Sequence, residues 1–553
     1  MAIWDDLPKV NRQYPAMGHR AADGSNYYIS NQNLGAANTP YARTITTSHF
    51  PVKSELPDAG QLFDDLMKRP DESEVPFDGN KAGVNMLLHS MASVITHDIF
   101  KTKPGDPTIN QTTSYLDLSC LYGPTKEEQS QIRTGVDGLI KPDVFSDARL
   151  QFQLPSTVYL LILFNRNHNY IAKQLLTDAV NVQENYRFTH LAGKDSPRLS
   201  AERTDDIVFQ TARNINIACY TNVVFHEYLL TILDVDVKGT YSLAPNEQTP
   251  KDASYGNVVS AEFSFIYRWH SGISREDADW LKSIPIDKYL KLRKEFSFQL
   301  TAVENDGNEA AIQKAKMEHG KAMMGLLPEF GLSKEDYSLG PMCIGYHRDP
   351  ATKVYSNKDL LQMLTNGMER VTSKMGARKV PESLREIEIE GIESARRQGL
   401  CTLNEFRKHF RLKEYNSYEE MITGPECPKA DPVVIAALEK HYGKDGINRV
   451  EFYPGIVLEA TDGEGISQGY SIIRAILADA INLIKNDRFL VYGLNPHELT
   501  HWGYNYYRAS GDERQDGLIF KKIVLNCFPE WDRPELQERL KNPFRVSGEI
   551  HKV

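Results

Sequence analysis

Within FSFIYRWHSG, Phe263 to Gly272, a tyrosine precedes a histidine by three residues in an apolar stretch. On an α-helix, residues three apart lie one above the other, with Cβ atoms about 5–6 Å apart. A phenol, Tyr267, and an imidazole, His270, placed in this way pair a metal ligand with an oxidisable ring. The plainer reading makes Tyr267 a packing residue and His270 a core histidine satisfied by a carbonyl. A second histidine, His97 in SMASVITHDIFKT, shares a helical pattern with Val94, Ile95, Ile99 and Phe100, and is expected to point inward.

The loop after His97, TSYLDLS, alternates Thr113, Tyr115, Asp117 and Ser119. Hydroxyls, a carboxylate and backbone carbonyls can converge there, which is oxygen-only ligation. A hard cation such as calcium takes about six to eight oxygens, and one carboxylate does not neutralise it. Asp98, next to His97, supplies a second. A cation held by both segments would fix the orientation of the histidine. The same alternation suits a half-buried strand or turn equally well.

Other patterns carry less chemistry. HELTH, His497 to His501, fits the zinc-peptidase spacing with Glu498 as base. Pro496 and Gly503 leave little room for the long helix such a site needs, and no third ligand is evident, so a short capped helix is expected. GISQG, Gly465 to Gly469, fits GxSxG but follows the polar run TDGE instead of a strand. Cys343 in PMCIG lacks the Phe and the more distant Gly of a haem-thiolate loop. No GxxxxGK[ST] occurs, nor any GxGxxG after a strand, so nucleotide chemistry is excluded.

The elements that must position these groups are helical. Apolar residues recur with helical spacing over 85–100, 158–176, 205–233, 384–398 and 466–484, and few stretches alternate with period two. An all-α fold follows, one large helical domain over 76–553 preceded by an arm, 1–75, rich in Gly, Pro, Asn and Asp. A 553-residue chain with 41% hydrophobic and 25% charged residues has the composition of an ordinary globular protein. Its net charge of −10 argues against nucleic acid as a partner. Six scattered cysteines without a CxxC pair fit a reducing, cytoplasmic setting. The segment MAIWDDLPKVNRQY lacks the pattern of a signal peptide. The longest apolar run, Val158 to Phe164, is seven residues, short of the roughly 20 of a transmembrane segment.

Taken together, SVITHDIFKT, SYLDLSCLYG, FNRNHNYIA, VSAEFSFIYRWHSGIS, VEFYPGIVLE and RAILADAINLI resemble the animal haem peroxidase–cyclooxygenase superfamily, and within it the dioxygenase domain of fungal linoleate diol synthases and psi-factor-producing oxygenases. The resemblance runs almost end to end. It implies a cyclooxygenase-like helical fold with haem b, His270 as proximal iron ligand, His97 as distal histidine and Tyr267 as radical-forming tyrosine. It also places Asp98, Thr113, Tyr115, Asp117 and Ser119 on the family's calcium site.

The implied reaction is hydrogen abstraction from an unsaturated C18 fatty acid such as linoleate or oleate, followed by O2 addition to give a hydroperoxide, after activation by a peroxide. Plain peroxidases of the superfamily carry arginine where Tyr267 stands. Ser93 replaces the glutamine found four residues before the distal histidine in cyclooxygenases, so weak peroxidase turnover is expected. Thr96 replaces the aspartate that mammalian peroxidases esterify to haem. The fungal proteins usually continue into a cytochrome P450 domain that isomerises the hydroperoxide, whereas this sequence ends at Val553; either the hydroperoxide itself is the product, or the sequence is a fragment or a single-domain relative whose partner enzyme is separate. The resemblance further implies a homo-oligomer. Two other readings stay open on the residues: a haem peroxidase acting on small organic substrates with hydrogen peroxide, and a non-enzymatic lipid-binding scaffold.

Overall fold

The computed structural model describes residues 19–28, 31–46, 55–71, 75–184, 187–188, 200–233, 256–305, 308–332, 340–425, 427–461, 468–508 and 518–546. Eleven of its helices matter here. They are α1 (Met86–Ile99), α2 (Pro155–Leu175), α3 (Ala201–Val223), α4 (Phe263–Ile266), α5 (Ile286–Asn305), α6 (Glu309–Leu326), α7 (Asn357–Glu369), α8 (Arg385–Arg397), α9 (Phe452–Leu458), α10 (Tyr470–Lys485) and α11 (Ile519–Cys527). The only sheet among the described residues has three short antiparallel strands in the order β1-β3-β2: β1 (Thr39–Pro40), β2 (Thr102–Lys103) and β3 (Asp106–Asn110).

At the centre stands α2. Proline at its first position suits a helix start, where the missing N–H has no helical partner anyway. The run Ser156–Asn165 that follows is buried on every side, as a helix apolar all round must be. Around it pack α1, α3, α7 and α11. The Asn85 side chain caps α1 by accepting from the N–H groups of Leu87 and Leu88, and its amide donates to the carbonyls of Met368 and Pro543. One side chain thus starts the helix and ties it to two distant segments. Helix α3 runs into a π-turn, Val224–Tyr228, before resuming over Leu229–Leu233. Such wide turns shift the register of the residues they carry, here Tyr228. The expected helical segments are all present, with ends moved by a few residues; 462–467, the start of the last, lie outside the described residues.

The segment 19–46 lies across the loop 112–119. Tyr27 stacks on Tyr115 with ring centroids 3.8 Å apart, donates its hydroxyl to Asp117 (3.2 Å), and accepts from Arg20 (3.0 Å). Arg20 also pairs with Asp487 at 2.7 Å in a contact almost free of solvent. Farther on, Leu62, Phe63, Leu66 and Met67 are buried in the main core. No described helix is long and apolar enough to cross a membrane.

His168, inside α2, shows how this core treats a titratable group. Its Nε2 lies 2.9 Å from the Gly138 carbonyl and its Nδ1 2.9 Å from the Tyr122 hydroxyl, so Nε2 carries the proton and Nδ1 accepts. Burial holds its pKa down to about 4, against 6.5 for an ordinary histidine. Between those values the unfolded chain takes up a proton that the folded chain refuses, so stability falls as pH drops through the window. At about 1.4 kcal/mol per unit the loss reaches about 3 kcal/mol. In denaturant titrations at pH 7 and pH 4.5, a His168→Gln variant should start less stable and lose less on acidification than the unsubstituted protein.

Candidate active site

One stripe of α1 is less deeply buried than the rest. His89, Ser93, Thr96 and His97 lie on it, while the residues between them are sealed in the core. Steps of four put His89, Ser93 and His97 on one face, and the eight-residue interval spans about 12 Å along the axis. The lower end of the stripe touches the segment after α4, where His89 Nε2 lies 3.0 Å from the Trp269 carbonyl. His97 occupies the upper end.

Each ring on this surface has its tautomer set by one contact. The Nδ1 of His97 lies 2.8 Å from the Ser93 carbonyl and must donate, which leaves Nε2 as a bare lone pair. Burial, aided by Arg149, lowers the pKa of His97 to about 4, so the ring is neutral near pH 7 and available as a base. The Ser93 hydroxyl donates to the Gln153 side-chain oxygen at 3.1 Å. An amide absent from position 93 therefore reaches the same turn from the segment before α2, which no spacing in the sequence indicated.

His270 does not continue the helix that carries Tyr267, as the spacing led one to expect. Helix α4 is a single turn ending at Ile266. Tyr267 (φ −89°, ψ 15°) and Trp269 (φ −91°, ψ 43°) leave it, and His270 opens a 3-10 turn, His270–Gly272. The break brings Tyr267 against Trp269 in a stack with centroids 5.1 Å apart and planes 17° apart. The Trp269 indole N–H donates to the Ile266 carbonyl at 2.8 Å and closes the turn. Tyr228, on the π-turn, stacks on the other neighbour of this set, with its ring 6.5 Å from Trp269 and 8° from parallel. The indole thus lies against the phenol, and the imidazole follows it in the chain.

Tyr267 is 7% exposed, and burial pushes its phenol well above its ordinary pKa, with Asp479 of α10 adding to the rise; the phenol stays protonated. On His270, Nδ1 lies 2.5 Å from Glu388 Oε1, and no described residue engages Nε2. The side chain is 23% exposed, enough to leave that nitrogen open. A neutral imidazole with Nδ1–H on a carboxylate and a free Nε2 is the usual form of a histidine metal ligand. The residues present therefore suit a haem iron. A cavity of about 250 Å³ lies behind the 271–273 loop, where Met375 meets Gly272 and Arg69 donates to the Ser271 and Ile273 carbonyls. Tyr267 does not border it.

The oxygen-bearing residues lie near one another in a turn, not on a strand. Thr113 Oγ1 lies 3.3 Å from the Tyr115 carbonyl, Asp117 accepts from the Ser119 N–H at 3.1 Å, and Ser119 Oγ contacts Asp98 Oδ1 at 3.1 Å. Leu118, at φ 55°, turns the chain so that its N–H also reaches Asp98. Both carboxylates are buried. Burial, and then the charge of Asp117, raises Asp98 well above the carboxylate range; Asp117 is raised by burial but eased by Arg213 and Arg20. Arg213 stands 3.8 Å from Asp117, while no described Lys or Arg pairs with Asp98. Two buried like charges amid hydroxyls and carbonyls are the donor set of a hard cation.

The zinc pattern fails on geometry. Thr500 at φ 69° breaks the 496–506 helix, His497 is 93% exposed beside Glu498, and His501 turns to Glu184. Cys343 is buried beside Tyr355, whose hydroxyl accepts from its N–H. Of GISQG, residues 465–467 lie outside the described residues.

Residues 104–329 match the animal haem peroxidase family model, and the chain carries an animal haem peroxidase domain. The matched span holds Tyr267, His270 and the 113–119 loop. Over 548 residues the chain is 36% identical to the linoleate 10R-lipoxygenase of Aspergillus fumigatus, covering 96% of this chain and 45% of that protein. It is 35% identical over 543 residues to the linoleate diol synthase of Gaeumannomyces graminis, covering 95% and 43%. The chain spans a little under half the length of the curated relatives it matches. Among solved structures, the Oryza sativa fatty acid alpha-dioxygenase superposes with a TM-score of 0.61 at 15% identity, over 93% of this chain and 85% of that one. The fold is that of the haem peroxidases.

If His270 is the ligand, titrating the protein with haemin should give a Soret band of one-to-one stoichiometry. His270→Ala should lose that band or shift it toward free haemin. His89→Gln, whose ring already spends Nε2 on Trp269, should keep it.

Proposed function

We propose that this chain is a haem-dependent fatty acid dioxygenase that converts an unsaturated C18 acid, linoleate or oleate, to a hydroperoxide by way of a radical on Tyr267. The observation that carries this reading is one short segment that holds both a buried, protonated phenol, stacked on Trp269, and an imidazole held by Glu388 with its Nε2 open. The names of the relatives, a linoleate lipoxygenase and a linoleate diol synthase, favour linoleate as substrate.

His270 would hold the haem, which when bound would supply the oxidising power for the reaction in the presence of a peroxide activator. The other steps belong to side chains. His97 Nε2, bare and neutral, takes the proton of the incoming peroxide. Tyr267 gives up an electron and its proton and becomes a phenoxyl radical. That radical takes a hydrogen atom from an allylic or bis-allylic carbon, restoring the phenol. O2 adds to the carbon radical, and the resulting peroxyl takes a hydrogen atom from Tyr267, which regenerates the phenoxyl. One C–H bond and one O2 are consumed per hydroperoxide. The apolar surroundings of Tyr267, with Phe263 at 5.2 Å and Trp269 at 5.1 Å, exclude water that would quench it.

Asp98, Asp117, Ser119, the Thr113 hydroxyl and the Tyr115 carbonyl would hold calcium. Because Asp98 follows His97 in the chain and accepts from Ser119, a cation there would tie the end of α1 to the 113–119 loop and hold His97 in place.

The haem-loaded protein with linoleate should consume O2 and yield a hydroperoxide identifiable by chromatography. Tyr267→Phe should lower uptake at least ~100-fold, a barrier rise of about 2.7 kcal/mol, and leave the Soret band in place. Full uptake by that variant, or rapid guaiacol oxidation without lipid oxygenation, would overturn the reading. Calcium at about a hundred times its dissociation constant adds about 2.7 kcal/mol of stability. EGTA should therefore lower the melting temperature of the native protein, and should have little effect on an Asp98→Asn variant.

A further inference from the structure

Glu388 sits in the first turn of α8 and is 1% exposed. Both of its oxygens are occupied by donors: Oε1 by His270 Nδ1 at 2.5 Å and Oε2 by the Tyr453 hydroxyl at 2.8 Å. No described Lys or Arg pairs with it. Arg268, the nearest guanidinium, lies instead over the rings of Phe265 (4.4 Å) and Tyr453 (5.6 Å). Gly391, one turn along α8, allows this crowding, since a Cβ there would stand 2.7 Å from the Tyr453 ring and 2.9 Å from Arg268. A carboxylate shut away from water, with no described Lys or Arg beside it, draws strongly on the Nδ1 proton.

We propose that Glu388 is a positioning residue for the haem iron. It fixes His270 with Nδ1 protonated, directs Nε2 outward, and increases the electron density that Nε2 donates to the metal. Tyr453 moderates this effect by taking up part of the carboxylate charge. The proposal rests on the haem reading above. A more electron-rich ligand favours ferric over ferrous iron and strengthens the iron–imidazole bond. A residue that only packed α8 against α9 would change neither.

The test uses the haem-loaded protein and two spectroscopic readings that do not depend on turnover: the ferric/ferrous midpoint potential and the iron–imidazole stretching frequency of the ferrous form. Glu388→Gln keeps an acceptor oxygen and removes the charge, and should shift the midpoint positive and the stretch to lower frequency. Tyr453→Phe removes the moderating donor and should move both in the opposite direction. That variant also serves if Glu388→Gln does not fold. Glu388→Asp should fall between Gln and the parent. Unchanged potential and frequency in variants that retain the His270-ligated spectrum would overturn the role of Glu388 alone. A Soret band unaffected by His270→Ala would overturn the haem ligation on which it rests.

Discussion

An imidazole offers a metal or a proton only the nitrogen that its other contact leaves free. Three histidines, two on α1 and one in the segment after α4, settle that choice in three ways. His97 donates Nδ1–H to a carbonyl four residues back in its own helix, a contact available to any histidine on an exposed helical turn. His89 uses Nε2 on the Trp269 carbonyl and leaves a buried Nδ1 without a partner. His270 meets a carboxylate. Only His97 and His270 keep an accessible Nε2, and the arrangement of helices serves to hold those two nitrogens where they are. Burial keeps His97 neutral, since charging it would cost desolvation that the opposing pull of Asp147 does not offset.

The scaffold secures α1 at several points. Asn85 joins the start of α1 to two remote carbonyls, and the His89–Trp269 contact ties its first turns to the His270 segment. At its far end, Asp98 enters the cluster with Asp117 and Ser119. The segments that carry His97 and His270 are thereby linked through one helix. The π-turn in the continuation of α3 performs a similar task for Tyr228, placing its ring parallel to Trp269.

What the sequence made legible follows from what periodicity reports. Helical spacing marks which face is buried, and it located α1, α2, α3, α8 and α10. It also pointed to His97, because the flanking apolar residues define the face. It misjudged Tyr267 and His270, since three-residue spacing in an apolar run looks the same whether the helix continues or breaks into a 3-10 turn. Glu388 stayed hidden for a related reason. In REIEIEGIE it is one of several glutamates on an amphipathic helix; Glu386 and Glu390 are exposed, and only the approach of His270 and Tyr453 distinguishes the one between them. Gln153 lies outside any repeat, and its contact with Ser93 depends on how the chain folds back. The oxygen cluster was visible as alternation, yet its geometry depends on Leu118 adopting a left-handed conformation, for which leucine has no local preference.

The ion pair of Arg20 with Asp487, and the path through Tyr27 to Asp117, mean that the amino-terminal strap is wedged into the body by charge as well as by ring stacking. Separating it would leave acidic groups enclosed without their counter-charges, a penalty of about 3–5 kcal/mol for a single pair. Trimming or nicking the polypeptide between Arg20 and Tyr41 would therefore not yield a slimmer enzyme. It would loosen the ground on which the 113–119 loop stands and release Asp487, 467 residues along the chain from Arg20.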